Sequence, residues 1–262
     1  MPGQLQDKVV FITGSTGIAA ATARRAVQEG ARVFVASRTE ANCRALAEEL
    51  GEAAAWRAAD LQDAAAVDAA ANACLDAWGR VDSLFNVAGI SGRRFGDGPL
   101  HECSEEGWDA TLDANAKSMF LVCRRILQQM LAQPLSPAGL RGSILNMASV
   151  LGFSPRADFF STHAYAASKG AILGMSRSMA AYYAPHKIRV NAIAPALVRT
   201  PMSARAQDDA KILALMRTKQ PLAEDMLEAD DVADTAIFLL SDAARRVTGD
   251  VVTVDGGWCV SG

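Results

Sequence analysis

Tyr165 and Lys169 stand four residues apart, and the run from Tyr165-Ala-Ala-Ser-Lys169 onward keeps helix-compatible spacing. Positions i and i+4 of a helix share a face, which brings the Lys169 ammonium close to the Tyr165 phenol. A phenol has an ordinary pKa of about 10, and a fixed positive charge beside it favours the phenolate. A phenol tuned towards neutrality exchanges protons with a hydroxyl or carbonyl oxygen. Alone, the pair also fits a solvated helix face, so its meaning depends on the segments around it.

A second stretch suggests anion binding. Gly14-Ser15-Thr16-Gly17-Ile18-Ala19 lies between the β-rich run Lys8–Thr13 and an alanine-rich helical pattern that reaches Gly30; Ala31–Ala36 is the next strand. A strand, a tight glycine turn and a helix together present backbone N–H groups and a helix N-terminus to a phosphate. Gly14 permits the turn, and Gly17 lets a ligand approach the backbone. The plain alternative is an ordinary glycine loop.

The rest of the chain must position these two stretches. Strand patterns recur at 53–59, 81–85, 142–147, 187–194 and 250–254. Helical patterns occupy about 63–78, 108–133, the Tyr165 segment and 229–240, whereas 91–107 reads as a charged, glycine-rich loop. Seven strands alternating with helices predict an α/β fold: one doubly wound parallel sheet with helices on both faces. Residues 1–262 read as a single domain, with a partly helical insertion near 201–220. In such sheets, sites lie beyond the carboxyl ends of the strands. The Gly14 turn, Ser37–Arg38, Asp60, Asn86–Gly89, Ser149 and Pro195–Thr200 all fall there.

Composition narrows the function classes. The 262 residues are half hydrophobic and carry a net charge of −3 with no basic run, which argues against nucleic acid as a partner. No apolar run approaches the roughly 20 residues of a membrane span, and the first residues lack a signal-peptide core, so a cytoplasmic location is expected. Five cysteines without C-x-x-C pairing read as buried free thiols, and three scattered histidines suggest no metal site.

With these motifs in order, the chain resembles the short-chain dehydrogenase/reductase family over essentially its whole length. The matching segments are Thr13-Gly-Ser-Thr-Gly-Ile-Ala19, Asp60-Leu61, Asn86-Val-Ala-Gly89, Asn115, Ser149, Tyr165-x-x-x-Lys169, Asn191-Ala-Ile-Ala-Pro195 to Thr200, and Asp255-Gly-Gly257. The resemblance implies a single-domain Rossmann-type fold with a seven-stranded sheet, and hydride transfer between a nicotinamide cofactor and an alcohol or carbonyl. Tyr165 would be the general acid or base, Lys169 would lower its pKa and hold the nicotinamide ribose, and Ser149 would orient the substrate oxygen. Asn115 would hold a water linking Lys169 to solvent. Asn86, Ala88 and Gly89 would line the adenosine side, Asp60 and Leu61 the adenine, and Val198 and Thr200 the carboxamide. Five features depart from the family pattern, two of them being Val87 in place of a second asparagine and Ala196 in place of the glycine after Pro195. The glycine turn is one residue short, Ala19 replaces its third glycine, and Ser149 precedes Tyr165 by 16 positions, which enlarges the loop 153–163. Phe159, Phe160, Thr162 and His163 of that loop are the expected specificity residues.

The second strand ends in Ser37-Arg38-Thr39, where an acidic residue would select NAD(H). A guanidinium suits a 2′-phosphate, so NADP(H) is expected over NAD(H). The competing readings are an NAD(H)-dependent alcohol dehydrogenase and a non-catalytic nucleotide-binding sensor. A moderately apolar alcohol or ketone is the expected substrate. Met202, Ile212, Leu213, Leu215 and Met216 of the 201–220 insertion either close a lid over it or serve ordinary helix packing. The family resemblance also implies a homotetramer or homodimer.

Overall fold

The computed structural model describes residues 3–261. Along the chain come β1 (Val9–Thr13), α1 (Gly17–Gln28), β2 (Arg32–Ser37), α2 (Glu40–Leu50), β3 (Ala54–Ala58), α3 (Ala64–Trp78) and β4 (Ser83–Asn86). Then come α4 (Glu105–Leu112), α5 (Ser118–Ala132), β5 (Gly142–Met147), α6 (His163–Tyr183) and β6 (Ile188–Pro195). The last elements are α7 (Ala204–Gln207), α8 (Ala210–Lys219), α9 (Ala229–Leu240) and β7 (Val251–Val254). The strands form one parallel sheet in the order β3-β2-β1-β4-β5-β6-β7. The chain winds outward from β1 to β3, then returns and winds the other way from β4. That reversal opens a crevice at the carboxyl ends of β1 and β4.

Strands buried on both faces need continuous apolar sequence, and every residue of β1, Val9-Val-Phe-Ile-Thr13, is buried. Alternate side chains point to opposite faces. Val9 and Phe11 pack with α3, α5 and α6 through Val67, Val122, Ile126 and Ile172. Val10 and Ile12 pack with α1 and α9 through Ala19, Ala23, Val232 and Ile237. The Phe11 and Phe34 rings stack at 5.2 Å, and truncating either would cost about 3–5 kcal/mol. The sheet is therefore a rigid platform, and the loops at its carboxyl edge rest on it.

Two elements differ from the sequence expectation. α2 is absent from the sequence expectation although its buried Cys43, Leu46 and Ala47 stand at i, i+3 and i+4, the spacing of a narrow amphipathic stripe. The long helix expected over 108–133 is two helices joined by a π-helical turn, Asp113–Lys117. Here the Ser118 N–H reaches back five residues to the Asp113 carbonyl. Such turns widen a helix by one residue and recur at functional sites.

Candidate active site

A cavity of about 690 Å³ occupies the crevice. It is lined by the turn Gly14 to Ile18, by Ser37, Arg38 and Thr39, and by Asp60, Leu61, Ala88 and Gly89. Ser149, Tyr165, Lys169, Pro195, Val198 and Thr200 complete the set of expected residues along its wall. Segments from six different loops thus meet in one space, as the sheet reversal requires.

The glycine turn is shaped for close approach. Gly14 has φ +100° and Gly17 φ +53°, conformations that side chains rarely adopt. A Cβ added at Gly17 would sit 3.1 Å from the Thr200 side chain. Thr16, which opens α1, makes no side-chain cap, so the first-turn amides of that helix remain as donors beside the cavity. Ser15 Oγ donates to Ser37 Oγ at 3.1 Å, tying the shortened turn to the end of β2. Thr13 Oγ1 accepts from the Val87 and Ala88 amides at 2.9 and 3.1 Å, fixing the exit of β4 beside the turn. These features fit a dinucleotide: uncapped amides for a pyrophosphate, and a backbone surface that a Cβ would obstruct.

At the other end stand the groups that the sequence pointed to for proton transfer. The Lys169 ammonium lies 5.5 Å from the centre of the Tyr165 ring and donates to the Met147 carbonyl at 2.8 Å. Burial pulls the Lys169 pKa down to about 8. The expected depression of Tyr165 is not what the protein alone provides: burial pushes the phenol up, and Ser149, facing it, pulls the other way. Desolvation of a phenolate outweighs a lysine whose own charge is weakened by burial and shared with a carbonyl. Ser149 Oγ accepts from the Leu151 amide at 3.2 Å, which orients the hydroxyl at the end of β5.

Two predicted residues lie outside the cavity wall. Asn86 was expected on the adenosine side, but it is buried and its amide donates to Cys123 Sγ and Asn146 Oδ1, each at 3.1 Å. As the last residue of β4 it faces the helix layer, where its side chain ties the sheet to α5. Asn115 is fully buried in the π turn. Its Oδ1 accepts from the Ile90 amide at 2.7 Å, and its Nδ2 donates to the Ile90 carbonyl at 3.1 Å and Ser168 Oγ at 3.0 Å. Its side chain joins the loop after β4 to the helix carrying Tyr165. A Cβ at Gly89 would come within 2.7 Å of Asn115 Oδ1, so glycine is what allows this approach.

Sequence reasoning missed Asp97. The charged loop 91–107 folds inward and buries this carboxylate to 5% exposure. Its two oxygens accept from the backbone amides of Ala164 and Tyr165 at 3.0 and 2.9 Å. Asp97 therefore caps the N-terminus of α6 from a distant loop, and anchors the backbone of Tyr165 itself. The negative charge also suits the positive end of the helix dipole.

In the enlarged loop, Phe160 and Thr162 face the cavity, whereas exposed His163 opens α6 away from the wall. Phe160 meets Trp258 edge to face at 5.6 Å. Trp258 is buried and also lines the cavity; it too was not singled out in the sequence. Of the 201–220 insertion, Met202 borders the cavity. Ile212 and Met216 instead form a small core with Val150, Met226 and Trp258, so for them helix packing is the correct reading. The five thiols are free; Cys43, Cys74 and Cys123 are buried, Cys103 is half-buried, and Cys259, against expectation, is exposed. Among the described residues no group of His, Cys, Asp and Glu is arranged to hold a metal ion, and no helix is long and apolar enough to cross a membrane.

Comparison with known proteins agrees with this geometry. Residues 12–259 match the family model described as enoyl-(acyl carrier protein) reductase. Momilactone A synthase of Oryza sativa subsp. japonica is 37% identical, over 98% of this chain and 92% of that protein. D-Threitol dehydrogenase of Mycolicibacterium smegmatis is 35% identical, over 98% and 95% of the two chains. Among solved structures, 3-ketoacyl-(acyl-carrier-protein) reductase from Brucella melitensis, complexed with NADH, superposes with a TM-score of 0.86. That structure is 31% identical, with 98% of this chain and 100% of that chain covered. The chain belongs to the short-chain dehydrogenase/reductase family, oxidoreductases that act on CH–OH and C=O groups.

Proposed function

We propose that the protein is an NADP(H)-dependent oxidoreductase that interconverts a small alcohol and its carbonyl compound, with Tyr165 as the general acid and base. The observation that carries this reading is the convergence of Ser149, Tyr165 and Lys169 on the same cavity as the Gly14–Gly17 turn. The bound nicotinamide supplies the hydride in reduction and accepts it in oxidation. In reduction, Ser149 hydrogen-bonds the substrate oxygen and Tyr165 gives it a proton. In oxidation, the same phenol takes the hydroxyl proton. Lys169 holds positive charge beside the phenol and favours the phenolate when the proton leaves. Proton exchange with solvent passes near Asn115, whose side chain is fully engaged; a water there would use its backbone carbonyl.

Arg38 supports the choice of cofactor. It borders the cavity at the end of β2, follows Ser37 rather than an acid, and has no ion-pair partner among the described residues. Arg38→Ala should weaken NADPH binding about tenfold, the scale of one charge-assisted contact, and leave NADH binding unchanged. Fluorescence titration of both cofactors checks this, and equal affinity of the wild type for NADH and NADPH would refute it.

The central test is Tyr165→Phe in a screen of ketones, aldehydes and alcohols followed by NADPH absorbance. The variant should lose roughly 10²–10⁴-fold in kcat, the usual contribution of a positioned proton donor, while still binding NADPH. Retained turnover would remove Tyr165 from this role. Assembly as a homotetramer or homodimer is part of the same reading: α4 and α5 present Trp108 and Phe120, and α6 presents Tyr182, as exposed large side chains.

A further inference from the structure

Three loops meet at the substrate side of the cavity, opposite Arg38. One follows β4 and carries Arg93, one follows β5 and carries Phe159, and one follows β6 and leads into α7 with Arg205. Arg93 Nη2 donates to the Phe159 carbonyl at 2.5 Å, and Arg205 Nη2 donates to the same oxygen at 3.2 Å. Both guanidiniums border the cavity and keep solvent-facing surface at its mouth. Two like charges are thus drawn to one neutral carbonyl, and neither has a carboxylate within ion-pair distance among the described residues. Asp97 lies near enough to act on Arg93, but both its oxygens already accept from the α6 backbone. Arg94, the third cation of this rim, lies over the Phe95 ring at 4.7 Å.

The shared carbonyl is presented by unusual backbone. Phe159 has φ +65°, a left-handed conformation that is strained for an aromatic residue and persists at ligand-binding or switch positions. Each guanidinium has five N–H donors in a planar fork, and one donor from each is used here. The wall behind them is apolar: Val150, Leu151, Phe160 and Trp258.

We propose that the substrate carries an anionic group, a carboxylate or phosphate, which Arg93 and Arg205 bind at the mouth while the reacting carbonyl lies at Ser149 and Tyr165. This rests on the oxidoreductase reading above and adds the substrate class to it. An oxyanion matches the guanidinium fork in both charge and shape. It also supplies the counter-charge that the pair lacks: burial and the charge of Arg205 both push the Arg93 pKa down, and an anion opposes both effects. The substrate so defined has an oxo or hydroxy group, an apolar body, and an acidic end.

The test uses the full chain with NADPH. The probes are a homologous series of methyl-ketone carboxylic acids, their methyl esters, and a methyl-ketone alkyl phosphate. At the chain length that spans the pocket, the acid or the phosphate should exceed the ester in kcat/KM by roughly tenfold to a hundredfold, the range of a charge-assisted pair. Arg93→Met and Arg205→Met should each collapse that ratio towards one, and Arg205→Lys should retain part of it. A phosphate that outruns the acid assigns a phosphorylated substrate; the reverse assigns a carboxylic acid. Esters turned over as well as both anions at every length, or a ratio unchanged in both Met variants, would overturn the anion site. If that happens while Tyr165→Phe still abolishes ester turnover, only this proposal fails. If no probe oxidises NADPH, both readings fall together.

Discussion

At the β1–β2 end of the cavity, the wall is made by short turns whose parts are close in sequence. Gly14, Ser15 and Gly17 shape a backbone surface, and Ser15 reaches Ser37 with one hydrogen bond. At the β4–β6 end, long loops cross over one another: Asp97 caps α6 from 67 and 68 positions away, and Phe160 meets Trp258 edge to face. One end is a backbone cradle that any dinucleotide-binding chain of this topology needs. The other is a set of side chains held by remote contacts. On the proposed reading, the first end would set which cofactor phosphate fits, and the second what is reduced and how the proton donor is aimed.

That contrast can be broken most sharply at Asp97. Asp97→Ala leaves two amides at the buried start of α6 without partners, each costing about 1–3 kcal/mol, and removes a favourable helix-dipole charge. A loss of roughly 3–5 kcal/mol in urea unfolding is expected, together with a fall in kcat that exceeds any change in NADPH affinity. Asp97→Asn, which still accepts one hydrogen bond, should fall between. Equal damage to cofactor binding would show that the two ends are not separable.

Lys169 gives the next effect, and its sign is fixed by burial. The folded pKa, about 8, lies below the unfolded 10.5. Below pH 8 both states hold the proton, and the cost of burying the ammonium is present in full. As pH rises from 8 to 10.5 the folded state releases the proton first, so that cost is relieved and stability rises. Relative to Lys169→Met, the wild type should gain up to about 3 kcal/mol across this window. Paired chemical melts at the two pH values measure it; a difference that stays flat or shrinks rules out the buried-ammonium account.

The smallest effect is expected at the cradle. Gly17→Ala must hold alanine at φ +53° against Thr200, at a cost of about 1–2 kcal/mol. Because the added methyl stands where the ligand approaches, NADPH and NADH should weaken together, unlike the selective loss at Arg38. If isothermal titration instead finds NADPH binding unaffected, this face of the turn does not meet the cofactor.

How much of this was legible in the sequence follows from the same contrast. The glycine turn, the strand ends and the Tyr165–Lys169 pair are encoded in short spacings, and the structure gathers most of them around one cavity. Asn86 looked the same in sequence as Ala88 and Gly89, yet strand alternation turns it towards Cys123 and Asn146. Asp97 was indistinguishable from a solvated loop charge, because its partners lie on α6. Trp258 gains its meaning only from Phe160 and from Ser154, 104 positions away, whose carbonyl its indole reaches. The π turn was not legible because residues 108–132 contain no glycine or proline to mark a break, and helical patterning continues on both sides of it.

That extra residue acts as a phase shifter. Each residue of a regular helix advances the side chains by about 100°. Before the turn, Thr111 faces inward; after it, Met119, Val122 and Ile126 face the sheet. In a helix of uniform pitch, Thr111 and Val122, eleven residues apart, would differ by only about 20°; an added residue turns everything after it by about 100° relative to the half before it. Within the widened turn, Asn115 meets Ile90 and Ser168. Segment length here is therefore a positional variable in its own right: it sets the angular offset between the half that supports the loop after β4 and the half that supports the sheet.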